Sequence, residues 1–97
     1  LLLDLGHARV AAFELGLPER DYLLQLPLER VVQIHVSGPR IKNGRLFDAH
    51  DTLQEEDYAL LEFTLQRAQP RVLTLEYIAD KTALREQLVR LREMINL

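Results

Sequence analysis

The stretch "RVVQIHVSG", residues 30–38, decides the fold class of this chain of 97 residues. Four β-branched residues fill it and a Gly-Pro pair closes it, a pattern typical of a buried strand. Two other apolar runs, residues 1–5 and 71–77, have the same character. The sequence therefore predicts three buried strands, spread over the length of the chain.

Helical patterns separate and follow these three runs. Residues 8–15 are alanine-rich and precede a glycine, and residues 17–27 contain a short helix bounded by prolines. Residues 55–68 carry an apolar face at helical spacing. A last helix is predicted from its N-cap Asp80 to Ile95. Strands that alternate with helices indicate parallel βαβ units, so we predict an α/β fold.

The number of βα units suggests part of a larger domain. Three units are less than half of an eight-unit TIM barrel, although they could also form a small open α/β layer. The opening "LLLD" looks like the end of a buried strand, and we expect residues 1–97 to be a single piece, the C-terminal part of a longer TIM-barrel domain. Open sheet edges predict that this piece folds poorly alone, and we expect it to be inactive by itself because part of the site lies elsewhere in the protein.

The composition excludes several classes of protein. The formal net charge is -3, so the basic surface of a nucleic-acid-binding protein is not expected. Cysteine is absent, which rules out disulfides and thiolate zinc sites within the chain. No apolar run approaches the roughly 18 residues of a membrane span, and no basic segment precedes the first leucines. We expect a cytoplasmic protein without membrane or nucleic-acid partners.

Residues with metal-ligand chemistry follow all three predicted strands. The first strand leads into "DLGH", the second contains a histidine, and the third ends in a glutamate. After the second strand a small hairpin is predicted over residues 41–47 around Asn43-Gly44, and "LFDAHD" runs from its end into a loop that carries Asp48 and His50. Because functional residues of parallel α/β proteins collect at the carboxyl ends of strands, we expect six metal ligands on one face: Asp4, His7, His35, Asp48, His50 and Glu76.

Each residue also has a structural interpretation. Asp4 could cap the helix that follows it, and His35 could be a hydrogen-bonded core histidine. Glu76 is harder to explain this way, because an unpaired carboxylate in a buried strand is costly. Six ligands exceed what one ion takes, which predicts a site for two or three metal ions. Arg40 is a candidate contact for an anionic substrate or part of a solvated loop.

Four segments resemble a known family in order and spacing: "LLLDLGH", "LPLERVVQIHVSG", "LFDAHD" and "LTLEY". They are similar to the C-terminal third of the multinuclear non-heme iron-dependent oxidative enzymes, which include the methanobactin-biosynthesis oxidase. A wider resemblance extends to the xylose-isomerase-like barrels and the endonuclease IV-type repair enzymes, whose D-x-x-H pattern His7 matches.

The resemblance implies the last three βα units of a TIM barrel and a metal-dependent oxidoreductase. It implies that Asp4, His35 and Glu76 bind one metal ion, and that the other three predicted ligands bind a second. The ions would be iron, with zinc or manganese as alternatives. The substrate would be a peptide modified at cysteine, delivered by a small partner protein. The alternative is a metal-dependent hydrolase or isomerase of the wider barrel class.

Overall fold

The computed structural model of the chain describes residues 1–95, in which strands and helices alternate. Every predicted strand and helix is present within this range, and most are shorter than predicted. A 3-10 turn at residues 28–30 precedes the second strand. The elements are β1 (Leu2–Asp4), α1 (Leu5–Leu15), α2 (Glu19–Leu24), β2 (Gln33–Val36), β3 (Gly38–Lys42), β4 (Arg45–Asp51), α3 (Glu55–Leu65), β5 (Val72–Leu75) and α4 (Lys81–Ile95).

The three predicted strands form one parallel sheet in the order β1-β2-β5. Asp4 at the end of β1 lies opposite His35 of β2, and His35 lies opposite Thr74 of β5. The prediction of an α/β fold with parallel strands is confirmed. This architecture is compatible with part of an α/β barrel.

One face of the parallel sheet supplies the core. Leu3 and Ile34 are buried there, and they belong to one apolar cluster with Ala8 of α1 and Leu61 of α3. Since side chains alternate along a strand, the neighbouring residues Asp4 and His35 point to the other face. The packing of α1 and α3 therefore fixes the face on which the polar residues lie.

The hairpin predicted over residues 41–47 is confirmed, whereas the loop predicted for the remainder of "LFDAHD", residues 48–51, is wrong. The whole segment belongs to β4, which pairs with β3 in a separate antiparallel hairpin. Asn43 and Gly44 form the turn with φ values of 54° and 74°, the left-handed conformation that a two-residue hairpin turn requires. Leu46, Phe47 and Asp51 pair with β3, and residues 48–50 lie between them at an irregularity in the register, opposite the short stretch from Gly38 to Arg40.

The first helix begins earlier than its alanine-rich segment predicted. Leu5, expected in the strand, is the first residue of α1, and the Asp4 carboxylate caps it by accepting the His7 N–H at 3.0 Å. Because Asp4 is both the last residue of β1 and the cap of α1, the helix follows the strand without a connecting loop. Gly16 ends the helix in the left-handed conformation, as predicted.

The apolar stripe of α4 is only partly buried. Leu91 is 4% exposed, whereas Leu88 and Ile95 are 48% and 49% exposed. The reason is that β5 is the last strand of the sheet, so α4 has one strand to pack on rather than two. None of the helices within residues 1–95 combines the length and apolarity needed to cross a membrane.

Candidate metal centre

The six predicted ligands meet at the carboxyl end of the parallel sheet. Asp4 ends β1, and the sheet register places it beside His35. Glu76 follows β5 directly, and its backbone N–H donates to the Val36 carbonyl at 2.9 Å. The strand pairing therefore brings Asp4, His35 and Glu76 to one edge, and the hairpin adds Asp48 and His50.

The first group of ligands is Asp4, His35 and Glu76. One ligand atom from each lies within 4.8 Å of the other two, a spacing that suits a shared cation. His35 Nδ1 is 3.6 Å from Glu76 Oε1, too long for a hydrogen bond. Glu76 Oε1 is buried and accepts no hydrogen bond from any group within residues 1–95.

The second group is Asp4, His7 and Asp48, whose ligand atoms satisfy the same spacing. His7 Nε2 lies 2.8 Å from Asp48 Oδ2, and His7 Nδ1 lies 3.4 Å from Asp4 Oδ2. Asp4 thus belongs to both groups. Its carboxylate is the point at which the two groups meet.

His50 lies at the margin of the second group. Its Nε2 is 3.2 Å from Asp48 Oδ2, but its ring does not complete a third set of three ligands among the described residues. The implied trio of His7, Asp48 and His50 therefore differs from the tightest arrangement, in which Asp4 replaces His50. His50 has a φ of 49°, which directs this residue out of regular strand geometry.

Hydrogen bonds orient both aspartates toward the cluster. Asp4 Oδ1 accepts the His7 N–H, and Asp48 Oδ1 accepts the Ser37 hydroxyl at 3.0 Å. The remaining oxygen of each carboxylate, Oδ2, faces an imidazole nitrogen. Residues around a metal site orient its ligands in this way: a hydrogen bond holds one carboxylate oxygen, and the other oxygen faces the centre.

Gly6 makes room for this arrangement. A Cβ at this position would lie 2.3 Å from Ser37 Oγ and 3.1 Å from Asp48 Oδ1. Ser37 is itself only 3% exposed, so its hydroxyl has little space to move aside. A side chain larger than hydrogen at residue 6 would displace the donor that holds Asp48.

No Lys or Arg nitrogen anywhere in residues 1–95 lies within 4.0 Å of the carboxylates of Asp4, Asp48 or Glu76. The three acids face the three histidines of the chain instead. Carboxylates this close repel one another, and a bound cation would remove the repulsion. The donor set of oxygen and imidazole nitrogen suits iron, zinc or manganese.

Arg40, the weak candidate for substrate binding, is bonded within the hairpin. Its guanidinium donates to the Pro39 carbonyl at 2.9 Å and to the carbonyl and hydroxyl of Thr52 at 2.9 and 3.0 Å. These bonds tie the two ends of the hairpin together. They therefore support the position of Asp48, while a contact with substrate stays a prediction.

Three neighbours of the ligands were not among the predicted site residues: Gly6, Gln33 and Ser37. Gln33 Nε2 lies 3.0 Å from His35 Nε2. The signal for Gln33 was its spacing of two from His35 on one strand, which places both side chains on one face. Gly6 and Ser37 offered no such signal, because their contact depends on the hairpin folding over α1.

A comparison with protein-family models places the chain in a family. Residues 1–96 match the model described as RiPP precursor modification enzyme MbnB/TglH/ChrH, where RiPP denotes a ribosomally synthesised and post-translationally modified peptide. The chain belongs to this family. The predicted relationship to methanobactin-biosynthesis-type enzymes is thereby confirmed.

The chain is also similar to several proteins named UPF0276. Those of Bordetella pertussis and Acaryochloris marina are 39% and 35% identical to it over 82 and 81 residues. The alignments cover 78% and 82% of this chain. A UPF0276 protein of Caulobacter vibrioides is 33% identical over 92 residues, or 94% of the chain. The chain spans 28%, 29% and 33% of the length of the Bordetella, Acaryochloris and Caulobacter proteins respectively.

Proposed function

We propose that this chain is the C-terminal part of a TIM-barrel metalloenzyme that oxidatively modifies a peptide. The observation that carries the proposal is that two groups of three ligands share Asp4. One of these groups contains Glu76, whose buried Oε1 has no hydrogen-bond partner within residues 1–95. Two groups that share one carboxylate suit two neighbouring ions, with room for a third if other parts of the protein add ligands. Iron is the proposed metal, with zinc or manganese as alternatives.

The energetics of the cluster favour a cation. A buried carboxylate oxygen without a hydrogen bond costs free energy, and a second and third carboxylate nearby increase the cost. The structure provides no cation of its own at this point within residues 1–95. A bound metal ion would neutralise the three acids and supply the missing partner of Glu76.

The proposed division of ligands follows the geometry. Asp4, His35 and Glu76 would hold one ion, and Asp4, His7 and Asp48, with His50 at the margin, would hold another. Bound iron would supply Lewis acidity and redox chemistry with dioxygen as the oxidant. The residues of this chain would fix the ligand positions, and Ser37 and the α1 cap would keep the ligating oxygens turned inward.

The proposed substrate is a peptide, in keeping with a family of RiPP precursor modification enzymes. We propose that the modified residue is cysteine, that a small partner protein delivers the peptide and that the reaction takes place in the cytoplasm. Because the chain spans a third or less of its relatives named above, these statements concern the full-length protein.

The experiment uses the full-length protein purified without oxygen and loaded with iron. We expect a cysteine-containing precursor peptide to change mass only when iron and dioxygen are both present, as measured by mass spectrometry. The matched variant Glu76→Gln keeps the size of the side chain but removes its charge, and it should abolish the change. A mass change of equal yield without metal, or in the variant, would contradict the proposal.

A hydrolase or isomerase is the second candidate, and the position of His7 favours it. His7 Nε2 lies 2.8 Å from Asp48 Oδ2, so the D-x-x-H turn shared with the repair-type barrels takes part in the cluster. The same preparation distinguishes the two functions. Oxygen-independent cleavage of a phosphodiester, or isomerisation of a sugar, would support this second candidate over the oxidase.

A further inference from the structure

His35 contacts a second polar side chain through the ring nitrogen that does not face Glu76. Its Nε2 lies 3.0 Å from Gln33 Nε2, whereas its Nδ1 is the nitrogen nearest Glu76 Oε1. Gln33 and His35 both lie on β2, two residues apart and therefore on the same face of the sheet. Gln33 is half-buried.

The contact with Gln33 controls which ring nitrogen of His35 can bind a metal. A neutral imidazole carries one proton, and only the nitrogen without it is a ligand. If the amide N–H donates to Nε2, the ring proton lies on Nδ1 and points into the ligand group. If the amide is turned by half a rotation, its oxygen accepts the Nε2–H and the Nδ1 lone pair becomes free.

We propose that Gln33 is a positioning residue for the metal centre, whose carboxamide oxygen accepts the Nε2–H of His35 and so presents Nδ1 to the ion. This inference rests on the metal-dependent function proposed above. Turning the amide exchanges nitrogen and oxygen of nearly equal size, so the surroundings need not repack. Outer partners of metal-binding histidines fix the tautomer and the ring orientation in this way.

Binding of zinc, used alone as the probe, tests this role in the full-length protein. Loss of such an outer partner typically weakens metal binding by roughly 10- to 100-fold. Gln33→Met has a similar volume and accepts no strong hydrogen bond, so we expect its zinc affinity to fall by about that factor. Gln33→Glu keeps an accepting oxygen and should bind zinc at least as tightly as the wild type. Competition with a chromophoric chelator measures both.

Gln87→Met is the matched control for loss of a glutamine. Gln87 is 6% exposed, accepts the Leu53 N–H and donates to the Ala83 carbonyl, and neither partner is one of the six predicted ligands. We expect this variant to lose stability and to keep its zinc affinity. If Gln33→Met and Gln33→Glu weaken zinc binding equally, or if Gln33→Met leaves it unchanged, the proposed role of Gln33 is wrong.

A spectroscopic measurement on the wild type completes the test. In protein labelled with ¹⁵N-histidine and loaded with zinc, we expect His35 to carry its proton on Nε2, with the signal assigned by its absence in His35→Asn. A proton on Nδ1 would overturn the role of Gln33 even if Gln33→Met failed to fold. Wild-type protein that binds no zinc would instead overturn the metal centre itself, and with it this inference.

Discussion

Helix α1 contributes to two groups of three carboxylates that differ in what balances their charge. The first, which we call the arginine cluster, consists of Arg9, Glu19, Glu56 and Asp57, and the guanidinium of Arg9 contacts all three acids. The second, the metal-ligand cluster, consists of the six residues Asp4, His7, His35, Asp48, His50 and Glu76. Its three acids meet imidazoles rather than a permanent cation.

We propose that this difference separates a structural group from a functional one. In the arginine cluster, Asp57 is buried, and it also accepts the Gln54 N–H at 2.7 Å as part of the cap of α3. Both partners of the Asp57 carboxylate, Arg9 and the Gln54 N–H, belong to the chain itself. In the metal-ligand cluster, Glu76 keeps a buried oxygen without a partner. We propose that the arginine cluster, which is neutralised from within, stabilises the fold, and that the metal-ligand cluster takes its cation from solution.

The largest expected effect is the removal of the cation from the arginine cluster. Arg9→Met would leave the buried Asp57 carboxylate without its counter-ion, which typically costs about 3 to 5 kcal/mol of unfolding free energy. Burial already raises the pKa of Asp57, and losing Arg9 would raise it further. Urea unfolding of the full-length protein measures the loss at neutral pH.

The same variant carries a pH test with a defined sign. As the pH falls through the raised pKa of Asp57, the carboxyl becomes neutral and no longer needs the guanidinium. The difference in stability between wild type and Arg9→Met should therefore shrink toward acid pH. A difference below about 1 kcal/mol at neutral pH, or one that grows in acid, would contradict a structural role for this cluster.

Crowding the metal-ligand cluster should have the next largest effect. In Gly6→Ala the new Cβ would lie 2.3 Å from Ser37 Oγ, and forcing extra volume into a packed site typically costs about 1 to 3 kcal/mol. We expect zinc affinity to fall with it, because Ser37 holds Asp48. Thermal unfolding and zinc titration measure the two effects.

The double variant Gly6→Ala, Ser37→Ala separates these effects. Removing the hydroxyl relieves the collision, so stability should recover, but Asp48 loses its donor and zinc affinity should not. A Gly6→Ala protein more stable than the wild type would show that the site has room, since alanine favours a helix over glycine by about 0.5 to 1 kcal/mol.

His50 should show the opposite pattern, an effect on metal with little effect on the fold. Its φ of 49° makes alanine a poor replacement, whereas asparagine tolerates this conformation. We expect His50→Asn to change stability by less than about 0.5 kcal/mol and to lower the metal content of the full-length protein. Unchanged metal content in His50→Asn would remove this residue from the metal-ligand cluster.

The smallest expected effect lies in an exposed pair that serves as a reference for both clusters. Arg90 Nη1 and Nη2 lie 2.5 and 3.1 Å from the Glu55 carboxylate, and this hydrogen bond lowers the pKa of Glu55 below 4.5. The contribution of the pair is therefore present above pH 4.5 and is lost as the pH falls through the lowered pKa.

Glu55→Gln tests this reference pair. The variant should lose less stability at neutral pH than Arg9→Met, because solvent screens exposed charges. The gap to the wild type should close as the pH falls through the lowered pKa of Glu55. If Glu55→Gln lost as much stability as Arg9→Met, solvent exposure would not explain the difference between the Glu55–Arg90 pair and the arginine cluster.

The parallel sheet and the approach of Asp4, His35 and Glu76 could be predicted from the sequence. Buried strands have a strong β-branched signal, and parallel pairing places their ends at one edge. The strand character of residues 48–51 could not be predicted in the same way. Their pattern is mostly polar, and their position in β4 depends on the pairing of Asp51 with Gly38 of another segment.

The arginine cluster was not predicted, for a related reason. Arg9 contacts Asp57 across 48 positions of sequence, and nothing in either local pattern marks the pair. Helical spacing predicted which residues of α3 face the core but not that a charged residue would be among them. Local periodicity determines the secondary structure and the buried faces, whereas long-range ion pairs arise only from packing.

The metal content of the full-length protein, purified without oxygen, tests the central claim most directly. Elemental analysis would compare the wild type with Glu76→Gln and with Glu55→Gln, the same change at an exposed glutamate. We expect two or three metal ions per wild-type chain, the same number in Glu55→Gln and fewer in Glu76→Gln. A wild-type protein without metal, or equal metal in all three proteins, would contradict the assignment of these six residues as a metal centre.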